Sequence, residues 1–167
     1  DQVSLAYLFA RAADTIADTE LIDRPRRLDL LGQLKAQFVS DLIAWTQVRE
    51  IQQAVGPIQQ NSSERVLLER LEDCFKLFQT FSPDDRRRIQ RLMTTLTQGM
   101  EMDLTIFPGT SAKDLTALKT LDDLDRYTYY VAGCVGEFWT DLMCAHRKAL
   151  ASWKVREMSE VGVRFGK

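Results

Sequence analysis

A chain of 167 residues with a net charge of −2 and a pI near 5.5 has no global basic field, which argues against nucleic-acid binding as its main role. Hydrophobic residues make up 45% of it, enough to fill one core, so a single domain over residues 1–167 is expected. Only 8 Gly and 4 Pro interrupt a composition rich in Leu, Ala, Arg, Gln, Glu and Met, which predicts an all-α fold class.

In chain order, a first helix is predicted from about Gln2 to Thr19. Asp23 and Pro25 supply an N-cap and a first-turn proline for a second, long helix. That helix carries Leu28, Leu31, Leu34, Phe38, Leu42 and Trp45 at three-to-four spacing and stops near Gly56-Pro57. Ser62 or Ser63 caps a third, whose buried face is Leu67, Leu71, Cys74, Phe75 and Phe78. Ser82-Pro83-Asp84-Asp85 starts a fourth, with a cap, a proline and two acids at the positive end of the helix dipole. It carries Ile89, Leu92, Leu96 and Met100 and ends near Phe107-Pro108-Gly109, before a polar loop over Thr110 to Lys119. Thr120 caps a fifth helix, Leu121 to His146, and a sixth of weaker periodicity covers Trp153 to Phe165. No internal repeat is present.

Cys74, Cys134 and Cys144 are odd in number and share no CxxC spacing, so neither a disulfide framework nor a zinc site is indicated and a reducing cytoplasm fits best. No run reaches the roughly 18 apolar residues needed to span a bilayer, and Asp1 to Ala6 do not read as a signal peptide. Peripheral association with a membrane surface stays open. The chain starts almost inside a helix and stops at Phe165-Gly166-Lys167 without a polar tail, which reads as truncation at both ends.

Two segments can carry chemistry. Tyr7, Arg11, Asp14 and Asp18 follow steps of four, three and four, so they share one stripe of the first helix. The carboxylates of Asp14 and Asp18 lie about 6 Å apart along the axis and can share hard cations through oxygen ligands. Arg11, one turn earlier, can hold a phosphate oxygen. Spacing alone favours a solvated polar face. In the fifth helix, Tyr127, Tyr130, Cys134, Glu137 and Asp141 form a polar stripe beside Leu124, Val131, Val135, Phe138 and Leu142. Gly133 and Gly136 in its interior each cost about 1 kcal/mol against alanine, so something must approach the backbone there. Arg86-Arg87-Arg88 and Arg91 read as a solvated face, Glu137 and Asp141 as structural or pocket-lining, and His146 as a helix-end residue with no ligand role.

Taken together, about 110 residues apart, these segments resemble the squalene/phytoene synthase family. Arg11-Ala12-Ala13-Asp14-Thr15-Ile16-Ala17-Asp18 resembles the family's first aspartate-rich motif, DxxxD preceded by arginine, and Tyr127 to Gly136 resembles its YxxxVAGxVG signature. Gln98-Gly99-Met100-Glu101-Met102-Asp103-Leu104 looks like the helix between them. The resemblance implies a helical bundle of the isoprenoid synthase type around a central cavity. It implies a magnesium-dependent prenyltransferase that condenses two farnesyl diphosphates head-to-head to presqualene diphosphate and squalene, with NADPH as reductant.

By the same resemblance Asp14 and Asp18 bind Mg2+ that grips a diphosphate, Arg11 and Tyr7 contact the diphosphate or shape its pocket, and Tyr127 takes part in proton handling. Gly133 belongs to the substrate-binding set. The family's second aspartate-rich motif is expected beyond the chain, so this segment alone is expected to be inactive. A phytoene or dehydrosqualene synthase, which needs no reductant, a longer prenyl substrate, and a non-catalytic lipid-binding or subunit member remain alternatives. Oligomeric state is not readable.

Overall fold

Local signals open the helices before packing decides where they go. Asp23 accepts from the Arg26 amide at 2.8 Å, Ser82 from the Asp85 amide at 3.2 Å, and Thr120 from the Asp123 amide at 3.0 Å. Each satisfies an amide that the first helical turn leaves without a partner. In the computed structural model, which describes residues 1–107 and 114–167, these residues precede α2 (Arg24–Ala36), α6 (Pro83–Ile106) and α7 (Leu121–Thr128). The other helices are α1 (Gln2–Asp18), α3 (Trp45–Val55), α4 (Ser62–Glu69), α5 (Leu71–Gln79), α8 (Cys134–His146) and α9 (Val155–Gly166). A π-helical turn over Tyr129–Gly133 joins α7 to α8. No strand occurs among the described residues, and no helix there is long and apolar enough to cross a membrane.

Three expected helices are interrupted. The second is two, α2 and α3. Buried Gln37 ends α2: its side chain donates to the Gln33 carbonyl at 2.8 Å and to Gln47 at 2.7 Å, and accepts from the Ala44 amide at 2.8 Å. The chain turns around this amide group, which leaves Val39 and Leu42 exposed although Leu42 continues the apolar period. The third breaks at Arg70 into α4 and α5, and α4 is capped by Asn61 rather than by Ser62 or Ser63. The fifth is divided by the π turn. Of the predicted loop, Thr110 to Lys113 lie outside the described residues, as do Pro108 and Gly109; residues 115–118 have no regular structure.

The core centres on four phenylalanines. Phe9, Phe38, Phe75 and Phe78 are buried with centroids 4.7–5.9 Å apart, where edge-to-face contacts add to area burial. α6 runs through the middle, packed on α1, α2, α8 and the π turn. Asp85, 3% exposed, accepts from Gln2 at 3.0 Å and Arg88 at 2.9 Å and sits 2.8 Å from His146 Nε2. α1 and α6 therefore start at the same end of the bundle, and α8 finishes there. The arginine face is only partly solvated, since Arg88 meets buried Asp85 and Arg91 pairs with Asp141.

α8 and α9 meet backbone to backbone. No glycine among the described residues has positive φ, so close approach is what these glycines provide. A Cβ built on Gly136 would lie 2.0 Å from the Gly162 carbonyl oxygen. α9 buries no side chain fully, so close backbone approaches, here and where Gly166 meets Ala132 and Gly133, seat it. Gly136→Ala is expected to cost about 1–3 kcal/mol through overpacking and to loosen α9. Gly32, in α2, has nothing within 4 Å of a built Cβ, and Gly32→Ala is expected to stabilise by up to about 1 kcal/mol. Denaturant melts of both variants, with hydrogen exchange over 155–166, check the contrast; equal effects would refute it.

Candidate active site

Helical period places Tyr7, Arg11, Asp14 and Asp18 on the face of α1 opposite its core stripe of Leu5, Phe9, Ala12 and Ile16. That face lines a cavity of about 570 Å³ whose opposite wall is α6, through Leu92, Leu96, Met100, Asp103 and Leu104. The third wall is Tyr127, Val131, Val135, Phe138 and Trp139. The expected convergence of the first helix and of Tyr127 on one cavity is therefore what the fold produces.

The cavity has two chemical ends. Because α1 and α6 run in the same sense from Asp85, Asp14 and Asp18 lie toward the end of the cavity that also holds Asp103. Tyr127 closes it there, its hydroxyl donating to Asp103 Oδ1 at 2.9 Å and its ring edge-on to Phe107 at 5.8 Å. Toward the other end the lining is Val3, Ala6, Leu92 and Phe138.

The electrostatics follow from this arrangement. Burial, then the like charge of Asp18, pushes the Asp14 carboxyl above its ordinary value; Arg11 opposes the shift and Glu64 adds to it. Arg11 lies 3.8 Å from Asp14 and donates to Glu64 of α4, a partner with no signal in the sequence. Tyr127 is pushed up to about 12 by burial, then by its hydrogen bond to Asp103 and by that residue's charge. It is a neutral phenol whose proton points at Asp103.

The other expected residues divide. Tyr7 lines the cavity but is 65% exposed. Gly133 is buried and off the cavity wall, where a Cβ would meet Tyr129, Lys167 and Val163 at 3.2–3.4 Å; its position serves packing against α9. The polar stripe of the fifth helix is divided by the π turn. Tyr127 reaches the cavity, whereas Glu137 accepts from the Tyr129 hydroxyl at 2.8 Å and Asp141 from Ser159 at 3.2 Å. Asp103 and Glu64 were not foreseen as site residues. The carboxylate in the Gln98–Leu104 segment was the available sign of the first.

Among the described residues no cluster of three or more His, Cys, Asp or Glu side chains is placed to hold a metal ion. The donor set nevertheless suits one hard cation. Asp14 and Asp18 stand one turn apart on a cavity wall, and Asp14 is held short of countercharge. Mg2+ takes one or two carboxylates and completes its shell with water and substrate phosphate.

Residues 1–167 match the squalene/phytoene synthase family over their whole length. The chain belongs to that family. It is similar to squalene synthase ERG9 of Saccharomyces cerevisiae, at 27% identity over 141 residues, and to the squalene synthase of Eremothecium gossypii, at 26% over 141 residues. Each alignment takes in 84% of this chain and 29% of the relative, so the chain spans under a third of the length of these curated relatives. Two solved structures of TcSQS, each in complex with a ligand, superpose with TM-scores of 0.64 and 0.63 at 23% and 22% identity. They cover 97% and 98% of this chain and 42% of each solved chain, and they place the fold as the all-α isoprenoid synthase fold. The squalene/phytoene synthase family is one of prenyltransferase-type synthases.

The raised Asp14 value carries a stability consequence. A carboxyl whose folded value exceeds its unfolded value of 3.8 contributes fully below the unfolded value, and that contribution is lost as pH rises through the folded one. Asp14→Asn, which carries no charge, is therefore expected to raise Tm at about pH 7 in chelator, with the gain disappearing at about pH 3. Paired thermal melts at the two pH values check the sign; an equal shift at both refutes it.

Proposed function

We propose that the full-length protein condenses two farnesyl diphosphates head-to-head, through presqualene diphosphate, to squalene, using Mg2+ and, for the reductive step, NADPH. What carries the reading is one cavity with Asp14, Asp18, Asp103 and Tyr127 toward one end and an apolar lining toward the other. A diphosphate bears charge at one end of a long apolar chain, and this lining has the same polarity. Its volume lies in the ordinary range for small-ligand sites.

Asp14 and Asp18 are the residues that would hold Mg2+, which supplies the positive charge that stabilises a departing diphosphate. Arg11, one turn away, adds a second positive group by releasing Glu64. Val3, Ala6, Leu92, Leu96 and Phe138 surround the prenyl chain and keep water from an allylic cation. Tyr127 stands beside the departing group as a neutral hydroxyl and handles the proton the condensation releases. We place the protein in the cytoplasm, with its apolar substrate reached from the solvent or from a membrane surface.

Incubating full-length protein with farnesyl diphosphate and Mg2+, with and without NADPH, tests the reading. Squalene that depends on NADPH supports it. Phytoene-type or dehydrosqualene products formed without reductant assign the protein to the family's other branch, and no consumption of any prenyl diphosphate overturns the enzymatic reading. The Asp14→Asn, Asp18→Asn double variant is expected to lose turnover at ordinary Mg2+ while keeping its fold; wild-type turnover with an intact fold would sink the metal role.

Arg11→Ala removes a charge-assisted contact worth about 1.5–3 kcal/mol. Steady-state kinetics are expected to show KM raised at least about tenfold, since each 1.4 kcal/mol is a factor of ten. An unchanged KM excludes a diphosphate contact.

A further inference from the structure

Head-to-head joining of two allylic chains passes through a cation that must shed a proton from carbon. A phenol oxygen is a poor base for that proton unless its own proton can leave as the new one arrives. In this cavity Tyr127 Oη has such an outlet. Its hydrogen bond runs to Asp103 Oδ1 at 2.9 Å, and both residues line the wall.

We infer that Asp103 is a positioning residue that holds the Tyr127 hydroxyl by its proton and takes that proton when Tyr127 removes one from the cationic carbon skeleton. This inference rests on the function proposed above. The step balances. The C–H bond beside the cation breaks and its electron pair forms the new carbon–carbon bond, while the proton goes to Tyr127 Oη. The former Tyr127 O–H bond breaks, leaving its pair on oxygen, and its proton goes to Asp103 Oδ1. A cation and a carboxylate become a neutral hydrocarbon skeleton and a carboxylic acid. Asp103, whose side of the wall is exposed, then returns the proton to water.

Three observations set this pair apart. First, the hydrogen bond commits the phenol proton to a carboxylate of the wall, so Oη is left with lone pairs to accept a proton and no proton to offer a bound chain. A carbocation is met by an acceptor and not by a donor. Second, burial and then Asp103 hold Tyr127 as a phenol, up to about 12, so the site presents no permanent phenolate that a cation would alkylate. Third, the competing groups are placed for other work. Asp14 and Asp18 occupy the α1 wall and suit the metal. Tyr129 also donates to a carboxylate, Glu137 at 2.8 Å, but neither of them lines the cavity.

The test uses Asp103→Asn, Asp103→Glu, Tyr127→Phe and the Asp103→Asn, Tyr127→Phe double variant in the full-length protein, assayed with farnesyl diphosphate and Mg2+. Asp103→Asn is expected to lower kcat by about 100-fold, the scale of general acid–base catalysis, with KM changed less than about threefold. The double variant is expected to be no slower than Tyr127→Phe, since the two residues act as one unit. Asp103→Glu should recover part of the rate. Diphosphate release should outrun hydrocarbon formation in Asp103→Asn, with water-trapped alcohols making up the difference.

A separate readout does not depend on turnover. Ultraviolet titration of tyrosine in the wild type and in Asp103→Asn, each differenced against its own Tyr127→Phe counterpart, is expected to show Tyr127 ionising at lower pH without the carboxylate. Wild-type kcat and product ratio in a folded Asp103→Asn variant would overturn the relay alone, as would additive losses in the double variant. An unmoved Tyr127 titration would overturn the pairing itself. A wild type that consumes no prenyl diphosphate would overturn both the relay and the function it rests on.

Discussion

Asp85 is the constraint on which the rest of the arrangement depends. A carboxylate with 3% exposure costs several kcal/mol unless it is paired and hydrogen-bonded. Burial pushes its carboxyl up, and hydrogen bonds from His146 and Gln2 outweigh that and hold it below the ordinary value. The partners come from three helices, so satisfying one charge ties the start of α1, the start of α6 and the end of α8 together. With those ends joined, the two long walls run in the same sense. Asp14 and Asp18 then rise on one side of the cavity as Asp103 rises on the other.

Close backbone approach does for the third wall what Asp85 does for the first two. A Cβ on Gly99 would lie 2.9 Å from Val131 and 3.0 Å from Tyr130, so α6 touches the π turn where a side chain would hold it off. A π turn shifts the face that follows it relative to an uninterrupted helix. Here it separates Tyr127, turned toward Asp103, from Glu137 and Asp141, which bond to Tyr129, Ser159 and Arg91. Val131 within the turn, and Val135 and Phe138 beyond it, continue the cavity wall. Gly99, Gly133 and Gly136 thus act on the site's walls through packing.

The site is unbalanced in a way that suits charge transfer. Burial, then the like charge of Asp18, raises the Asp14 carboxyl, and its cation, Arg11 at 3.8 Å, is shared with Glu64. Tyr127 keeps its proton beside a carboxylate. On the proposed function, an apolar cavity with such groups at one end would stabilise an anion joined to a metal there and leave a cationic chain in dry surroundings. The cysteines take no part. Among the described residues all three are free, and burial pushes the Cys134 thiol up to about 12.

The sequence by itself determined whatever depends on neighbours within a turn or two. Asp23, Ser82 and Thr120 cap because an amide three residues on is always within reach, and Tyr7, Arg11, Asp14 and Asp18 share a face because the helix repeats every 3.6 residues. Family motifs on those two segments were legible for the same reason. Tertiary structure alone decided where helices stop and which polar groups meet. Leu34, Phe38, Leu42 and Trp45 keep a helical period through a segment that turns, because Gln37 finds better partners in Gln47 and Ala44 than a continued helix would offer. Asp103 and Tyr127 are 24 residues apart, Asp85 and His146 are 61 apart, and neither pairing leaves a periodic trace. A buried charge is satisfied by whatever the fold brings within 3 Å, and one-dimensional spacing does not encode that distance.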